Sequence, residues 1–132
     1  MDKNCPKCGK RGIAVAIETL KALLTVSLRQ LEETLIYRFC ASGTCDVVYF
    51  GSDGSIFTKE ALAVKVYQKE VNNPDVLVCY CFQHRMRDFA EQADALLKDI
   101  QAGIEAGQCA CELRNPQGNC CLGNVRALIN PR

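Results

Sequence analysis

Ten cysteines fall into five close pairs along this chain: Cys5 with Cys8, Cys40 with Cys45, Cys79 with Cys81, Cys109 with Cys111, and Cys120 with Cys121. Thiolates this near in sequence can converge on one soft metal ion or cluster, whereas disulfide partners usually lie far apart along a chain. Cys5-Pro6-Lys7-Cys8-Gly9 has the form of a zinc knuckle, in which the glycine lets the backbone turn and aim its N–H groups at sulfur. Cys40 and Cys45, between two strand-like runs, supply a second pair, and the four together complete a tetrahedral sulfur site. With no histidine near them, zinc on Cys5, Cys8, Cys40 and Cys45 is the simplest occupant. Such a closed site is structural and not hydrolytic, because it leaves no open coordination position.

The second half is spaced differently. Cys79 and Cys81 flank one tyrosine, Cys111 comes much later, and Cys120-Cys121 leads into the last predicted helix. With a single residue between Cys79 and Cys81, both sulfurs are expected to reach one centre only where the backbone curls around it. A cluster larger than one ion permits that, and iron–sulfur clusters are held by four cysteinyl ligands. His84 is the one histidine in the chain, so a Rieske-type centre, which needs two, is excluded; a surface position is expected for it ahead of the alternative, capping or hydrogen bonding near the cluster. Tyr80, between the two ligand candidates, is expected to screen the cluster from water, and Arg85, Arg87 and Lys98 to be solvated.

The elements that must position these thiols change character near Asn72-Asn73-Pro74-Asp75, a polar, turn-rich stretch. The pattern predicts an α+β chain: a small β-rich module over residues 1–73 and a small helical module over residues 74–132. In the first, Ile13–Ile17, Leu35–Phe39, Asp46–Phe50 and Ser55–Thr58 read as strands, with Gly51–Gly54 as a hairpin turn and Ala63–Tyr67 as a further alternating run. Thr19–Leu31 has helical spacing, weakened by Thr25 and Val26. In the second, Arg85–Ala106 reads as two short helices with Asp94 capping the latter, and Leu122–Ile129 as a final helix stopped by Pro131.

The segment Val78–Phe82, the run Cys111-Glu112-Leu113-Arg114-Asn115-Pro116-Gln117-Gly118-Asn119-Cys120-Cys121, and the stretch Phe39–Phe50 resemble the amino-terminal, iron–sulfur- and zinc-containing region of the CopZ copper chaperones. The second half is in turn similar to bacterioferritin-associated ferredoxin-like domains. The resemblance implies a [2Fe-2S] cluster on Cys79, Cys81, Cys111 and Cys121, with zinc on Cys5, Cys8, Cys40 and Cys45. It favours Cys111 over Cys109 because Cys111 opens the Glu-x-x-Asn-Pro run, and Cys121 because it precedes the last helix, whose N-terminus suits an anionic cluster. Cys109 and Cys120 stay open between spare thiols, alternate ligands and a transient copper site.

The implied function is one-electron transfer linked to copper handling, either reduction of Cu(II) to Cu(I) or delivery, with a Met-x-Cys-x-x-Cys carrier or a copper ATPase as partner. No Met-x-Cys-x-x-Cys motif occurs in this chain, which reads as a stand-alone relative or an excised domain. Two alternatives stand beside it: iron–sulfur cluster or iron delivery, and a zinc-stapled adaptor without redox role. No acid–base pair or activated nucleophile stands out beyond the cysteines, which argues against an enzyme in the usual sense.

Charge and composition narrow the partners. The formal charge of +1 counts every thiol as neutral. A four-thiolate zinc and an oxidised two-iron cluster each carry about −2, which brings the loaded chain to about −3. Nucleic acid, which needs a clustered basic face, is therefore not expected. The amino terminus is polar where a signal peptide would be apolar, and no apolar stretch is long enough for a membrane span. Reduced thiols in a cytoplasmic setting are the expectation.

Overall fold

A computed structural model describes residues 3–70 and 72–129. In chain order the elements are β1 (Ile13–Val15), α1 (Ile17–Leu23), β2 (Tyr37–Phe39), β3 (Val47–Gly51), β4 (Ile56–Thr58), β5 (Leu77–Cys79), β6 (His84–Arg85), α2 (Phe89–Glu105), α3 (Cys111–Arg114) and α4 (Leu122–Ile129). The architecture is α+β. Strands β1 to β4 form an antiparallel meander in sequence order, and β5 pairs with β6.

Every residue of β3 is buried, because it is covered on both faces. A bulge between Val47 and Tyr49 shifts its register against β4. An extra residue there interrupts the strict alternation of faces. Val48 and Tyr49 consequently both enter the larger core with Leu20, Leu23, Phe39 and Phe57, while Val47 and Phe50 pack with Cys5, Cys40 and Cys45 in a smaller one. The β3–β4 turn is held by Asp53, whose Oδ1 accepts from the Ser55 N–H at 3.0 Å and its hydroxyl at 2.6 Å.

A third core joins Val78, Cys79, Phe89, Leu96, Ile100, Cys121 and Val125. The Phe82 ring lies against α2 at Gly103, where a Cβ would collide with it. That contact pins the turn after Cys81. The same turn passes through Gln83 at φ +65°, which curls the chain back into β6.

Residues 111–117 are fastened to the first half. The Tyr49 hydroxyl donates to the Pro116 carbonyl at 2.6 Å, and the Thr19 hydroxyl to the Glu112 carbonyl at 2.5 Å, with α1 packed on α3.

Three expectations about elements are corrected. The helix read over Thr19–Leu31 is α1, Ile17–Leu23, because the backbone turns extended at Leu24, which bridges to Leu62. Ser27 then starts a separate 3-10 turn by accepting from the Arg29 N–H. The run Ala63–Tyr67 is no strand: it lies between 3-10 turns at Lys59–Ala61 and Tyr67–Lys69. Over Arg85–Ala106 the two helical segments expected are joined as α2 across a non-helical kink at Gln92, and only the place of Asp94 is corrected: it lies two residues beyond the kink, inside the second segment. Pro131, expected to stop α4, lies outside the described residues.

Candidate metal centres

The knuckle at the start of the chain is built from backbone hydrogen bonds. The Cys5 N–H donates to the Lys10 carbonyl and the Gly9 N–H to the Cys5 carbonyl, both at 2.8 Å, and Gly9 adopts φ +79°. At that angle a side chain would be strained, so the glycine is needed for the turn that brings Cys8 back beside Cys5. Cys40 follows β2 and is tied to β3 by its N–H to the Val48 carbonyl at 2.8 Å; the Cys45 N–H closes the intervening loop on the Ser42 carbonyl at 3.3 Å.

These elements bring four sulfurs together. Cys5 and Cys45 are 3.9 Å apart, Cys8 and Cys40 3.6 Å, and all four lie within 4.8 Å of one another. A tetrahedron with metal–sulfur bonds of about 2.3 Å has edges of roughly 3.8 Å, so the set fits one zinc ion. Burial pushes the Cys40 thiol up to about 12 and raises Cys45, while hydrogen bonding from the Lys10 backbone brings Cys8 down to about 7. Zinc binds thiolates, so filling the site releases the protons of these buried thiols, and the ion's charge supplies what burial withholds from the thiolate. Lys7, inside the knuckle, spans to Asp46 beside Cys45 at 2.6 Å, an exposed clamp across the two halves of the site.

The second set has another shape. Cys81 and Cys111 are 3.6 Å apart, and the Ala110 N–H donates to the Cys81 sulfur at 3.1 Å. Cys121 interacts with both Cys111 and Cys79. The sulfurs thus run in the order Cys81, Cys111, Cys121, Cys79. Among the described residues only the first set lies wholly within 4.8 Å, so the second is spread wider than a single tetrahedral ion needs. Hydrogen bonding with Cys121 lowers Cys111 to about 6 and Cys79 to about 7, whereas burial raises Cys81 to about 11. The same hydrogen bonds and its burial raise Cys121.

Asn115 supplies a test of what belongs there. It is 2% exposed and its side chain favours the Cys111 thiolate, yet its Nδ2 completes no hydrogen bond with any described group. A buried donor without an acceptor carries a desolvation cost. Thiolate or sulfide on a metal cluster beside Cys111 would supply the missing acceptor, so the residues present fit such a group.

Cys109 and Cys120 are exposed and belong to neither set. They border, with Cys111, a surface hollow of 520 Å³. Tyr80 does not face the second set as a screen would: its hydroxyl donates to the Lys65 carbonyl at 2.7 Å and accepts from the Tyr67 N–H at 2.9 Å, anchoring the ligand loop to the preceding segment. His84 is half-buried, paired with Asp99 at 2.7 Å and edge-on to Phe89, and its charge favours the Cys79 thiolate. The surface position expected for it is corrected accordingly. Arg87 pairs with Asp75. The burial of Asn115 and of Lys69 was not readable from the sequence, since nothing in an Asn-Pro pair or a linker lysine signals it.

The comparisons with known proteins follow this geometry. Residues 2–63 match the zf_CopZ family, described as a zinc binding domain. The chain is similar to the N-terminal domain of Archaeoglobus fulgidus CopZ, solved by X-ray crystallography, at 28% identity and a TM-score of 0.77, covering 98% of this chain and 99% of that one. No curated protein matches the chain. The first half is a CopZ-related zinc-binding region with a four-cysteine site.

Proposed function

We propose that this chain is a redox module of copper handling. Residues 1–73 are braced by zinc on Cys5, Cys8, Cys40 and Cys45, and residues 74–132 carry a [2Fe-2S] cluster on Cys79, Cys81, Cys111 and Cys121. The observation that carries the reading is the difference in shape between the two thiol sets, one compact enough for a single ion and one drawn out. When bound, a two-iron cluster takes up and releases one electron, which is the change between Cu(II) and Cu(I).

The chain's own residues prepare that exchange. The Ala110 N–H stabilises negative charge on Cys81 and the Asn115 amide does so on Cys111. Donors of this kind favour the more negative, reduced state. Asn115→Leu is therefore expected to lower the reduction potential by about 60 mV, a tenfold change in a one-electron equilibrium; protein-film voltammetry that returned an unchanged potential would remove Asn115 from this role. At the hollow, the exposed Cys109 and Cys120 thiols offer soft ligands, which favour Cu(I) over Cu(II). The partner is a copper-handling protein or domain, reached from a cytoplasmic location. No described helix is long and apolar enough to cross a membrane.

A second reading, cluster or iron delivery, draws support from Cys81 and Cys111, which are only half-buried, and from α3, a single turn that carries Cys111. One experiment separates the two. Anaerobic protein reduced by dithionite and freed of excess reductant is mixed with Cu(II) and a Cu(I)-specific chelator, beside the iron-free variant Cys81→Ser. Electron transfer yields one Cu(I) per chain with return of the oxidised cluster spectrum, at a rate the variant does not match. Equal rates mean that thiols alone reduce the copper, and transfer of the intact cluster to an apo-ferredoxin instead favours delivery.

A further inference from the structure

Lys69 is 7% exposed. Lysine is almost never buried this deeply unless its charge is paired. Its Nζ donates to the Ser42 carbonyl at 2.7 Å. Among the described residues no carboxylate forms an ion pair with it. A carbonyl dipole alone leaves a buried ammonium short of compensation.

Its surroundings indicate where the opposite charge lies. Ser42 sits within the loop from Cys40 to Cys45, and the same carbonyl that receives the ammonium also receives the Cys45 N–H at 3.3 Å. The positive charge of Lys69 acts on the Cys40 thiol in the direction of thiolate. Four thiolates around a divalent ion carry about −2. That excess sits in a small core of buried cysteines with Val47 and Phe50, which offer no compensating charge.

Lys69 is placed there by the turn to which it belongs. Tyr67–Lys69 is a 3-10 turn whose three residues each hold a different part of the molecule. Tyr67 is bonded to the Tyr80 hydroxyl at 2.9 Å, Gln68 to Gln117 at 2.6 Å, and Lys69 to Ser42. The ammonium is therefore delivered to the Cys40–Cys45 loop by the linker and is fixed from both sides.

We propose that Lys69 is the counter-charge of the four-cysteine centre: a positioning residue, outside the ligand set, whose ammonium balances the anionic tetrathiolate and so secures metal affinity. The proposal rests on occupancy of that centre by a divalent ion. Removing a partner of this kind commonly costs ten- to a hundredfold in metal affinity.

The test uses the full chain with zinc and with Co(II) as a coloured substitute. Lys69→Met removes charge and hydrogen bond, whereas Lys69→Gln keeps a donor for the Ser42 carbonyl and loses only the charge. Chelator competition is expected to show zinc held about ten- to a hundredfold more weakly by both variants. In the Co(II) protein the d–d bands that report the tetrahedron should stay in place, and the thiolate-to-cobalt charge-transfer band should move to longer wavelength. Restoration of wild-type affinity by Lys69→Gln would reduce the residue to a hydrogen-bond donor and overturn the proposal. So would affinities within threefold of wild type for both variants, or altered d–d bands, which would mean that Lys69 acts through shape. A wild-type chain that binds neither ion defeats the underlying zinc reading instead, and is told apart by the absence of any cobalt spectrum.

Discussion

Cys111→Ser is expected to abolish the visible iron–sulfur absorption of anaerobically prepared protein, taking iron from about two per chain to near none, while Cys109→Ser leaves both unchanged. The two residues stand two positions apart, so the contrast is one of placement. Cys111 opens α3, lies 3.6 Å from Cys81, and interacts with Cys121. Cys109 is exposed and belongs to neither thiol set. Segment 111–117 is moreover fixed by the Tyr49 and Thr19 hydroxyls, which hold Cys111 in place against the first half. Loss of the spectrum in Cys109→Ser and its survival in Cys111→Ser would reverse the assignment.

Stripping the zinc is expected to undo the small cysteine core of the first half, while the larger core around Leu20, Phe39 and Tyr49 persists. The core that contains Cys5, Cys40 and Cys45 has only Val47 and Phe50 as buried apolar partners. Without a metal it is a cluster of thiols too small to sustain itself. Structural zinc sites contribute about 10–16 kcal/mol of apparent binding free energy in small domains, far above what so few contacts supply. Amide exchange at Cys5 and Cys40, whose N–H groups donate to the Lys10 and Val48 carbonyls, should accelerate in chelator and slow again with zinc; exchange indifferent to chelation would show the metal to be dispensable.

The same site has a defined dependence on pH. In the zinc-free chain the ligand thiols are largely protonated at neutral pH, since an ordinary cysteine titrates at about 8.5. Zinc binds thiolates and releases those protons, so the bound state has fewer protons than the free state, and affinity falls as pH falls from about 8 to about 7. Competition titrations at those two values measure the slope directly.

Much of this was legible in the residues. The knuckle and the Cys40–Cys45 pair declare a four-sulfur site by spacing alone, and the structure brings those four sulfurs within 4.8 Å. The strands β1 to β4 were legible too, as β-branched and aromatic runs with Gly51–Gly54 as a hairpin turn, though the same kind of pattern misread Ala63–Tyr67. What stayed hidden depends on partners distant in sequence. Leu28 continues the apolar spacing of α1 but is 52% exposed, because the bridge between Leu24 and Leu62 takes the backbone out of the helix first. Lys69 looks like any solvated linker lysine until the Ser42 loop folds over it. Tyr80 reads as a screen for its flanking thiols, yet Lys65 and Tyr67 capture its hydroxyl. The bulge in β3, which divides its side chains between two cores, also follows from pairing with β4 and leaves no mark of its own in the sequence.

The central claim is that eight sulfurs form two separate inorganic centres. Metal analysis of chain purified without oxygen, paired with visible and EPR spectra before and after dithionite, tests it most directly. The expected result is about two irons and one zinc per chain, with a rhombic signal only after reduction. Iron-free protein whose thiols are joined in disulfides would contradict it.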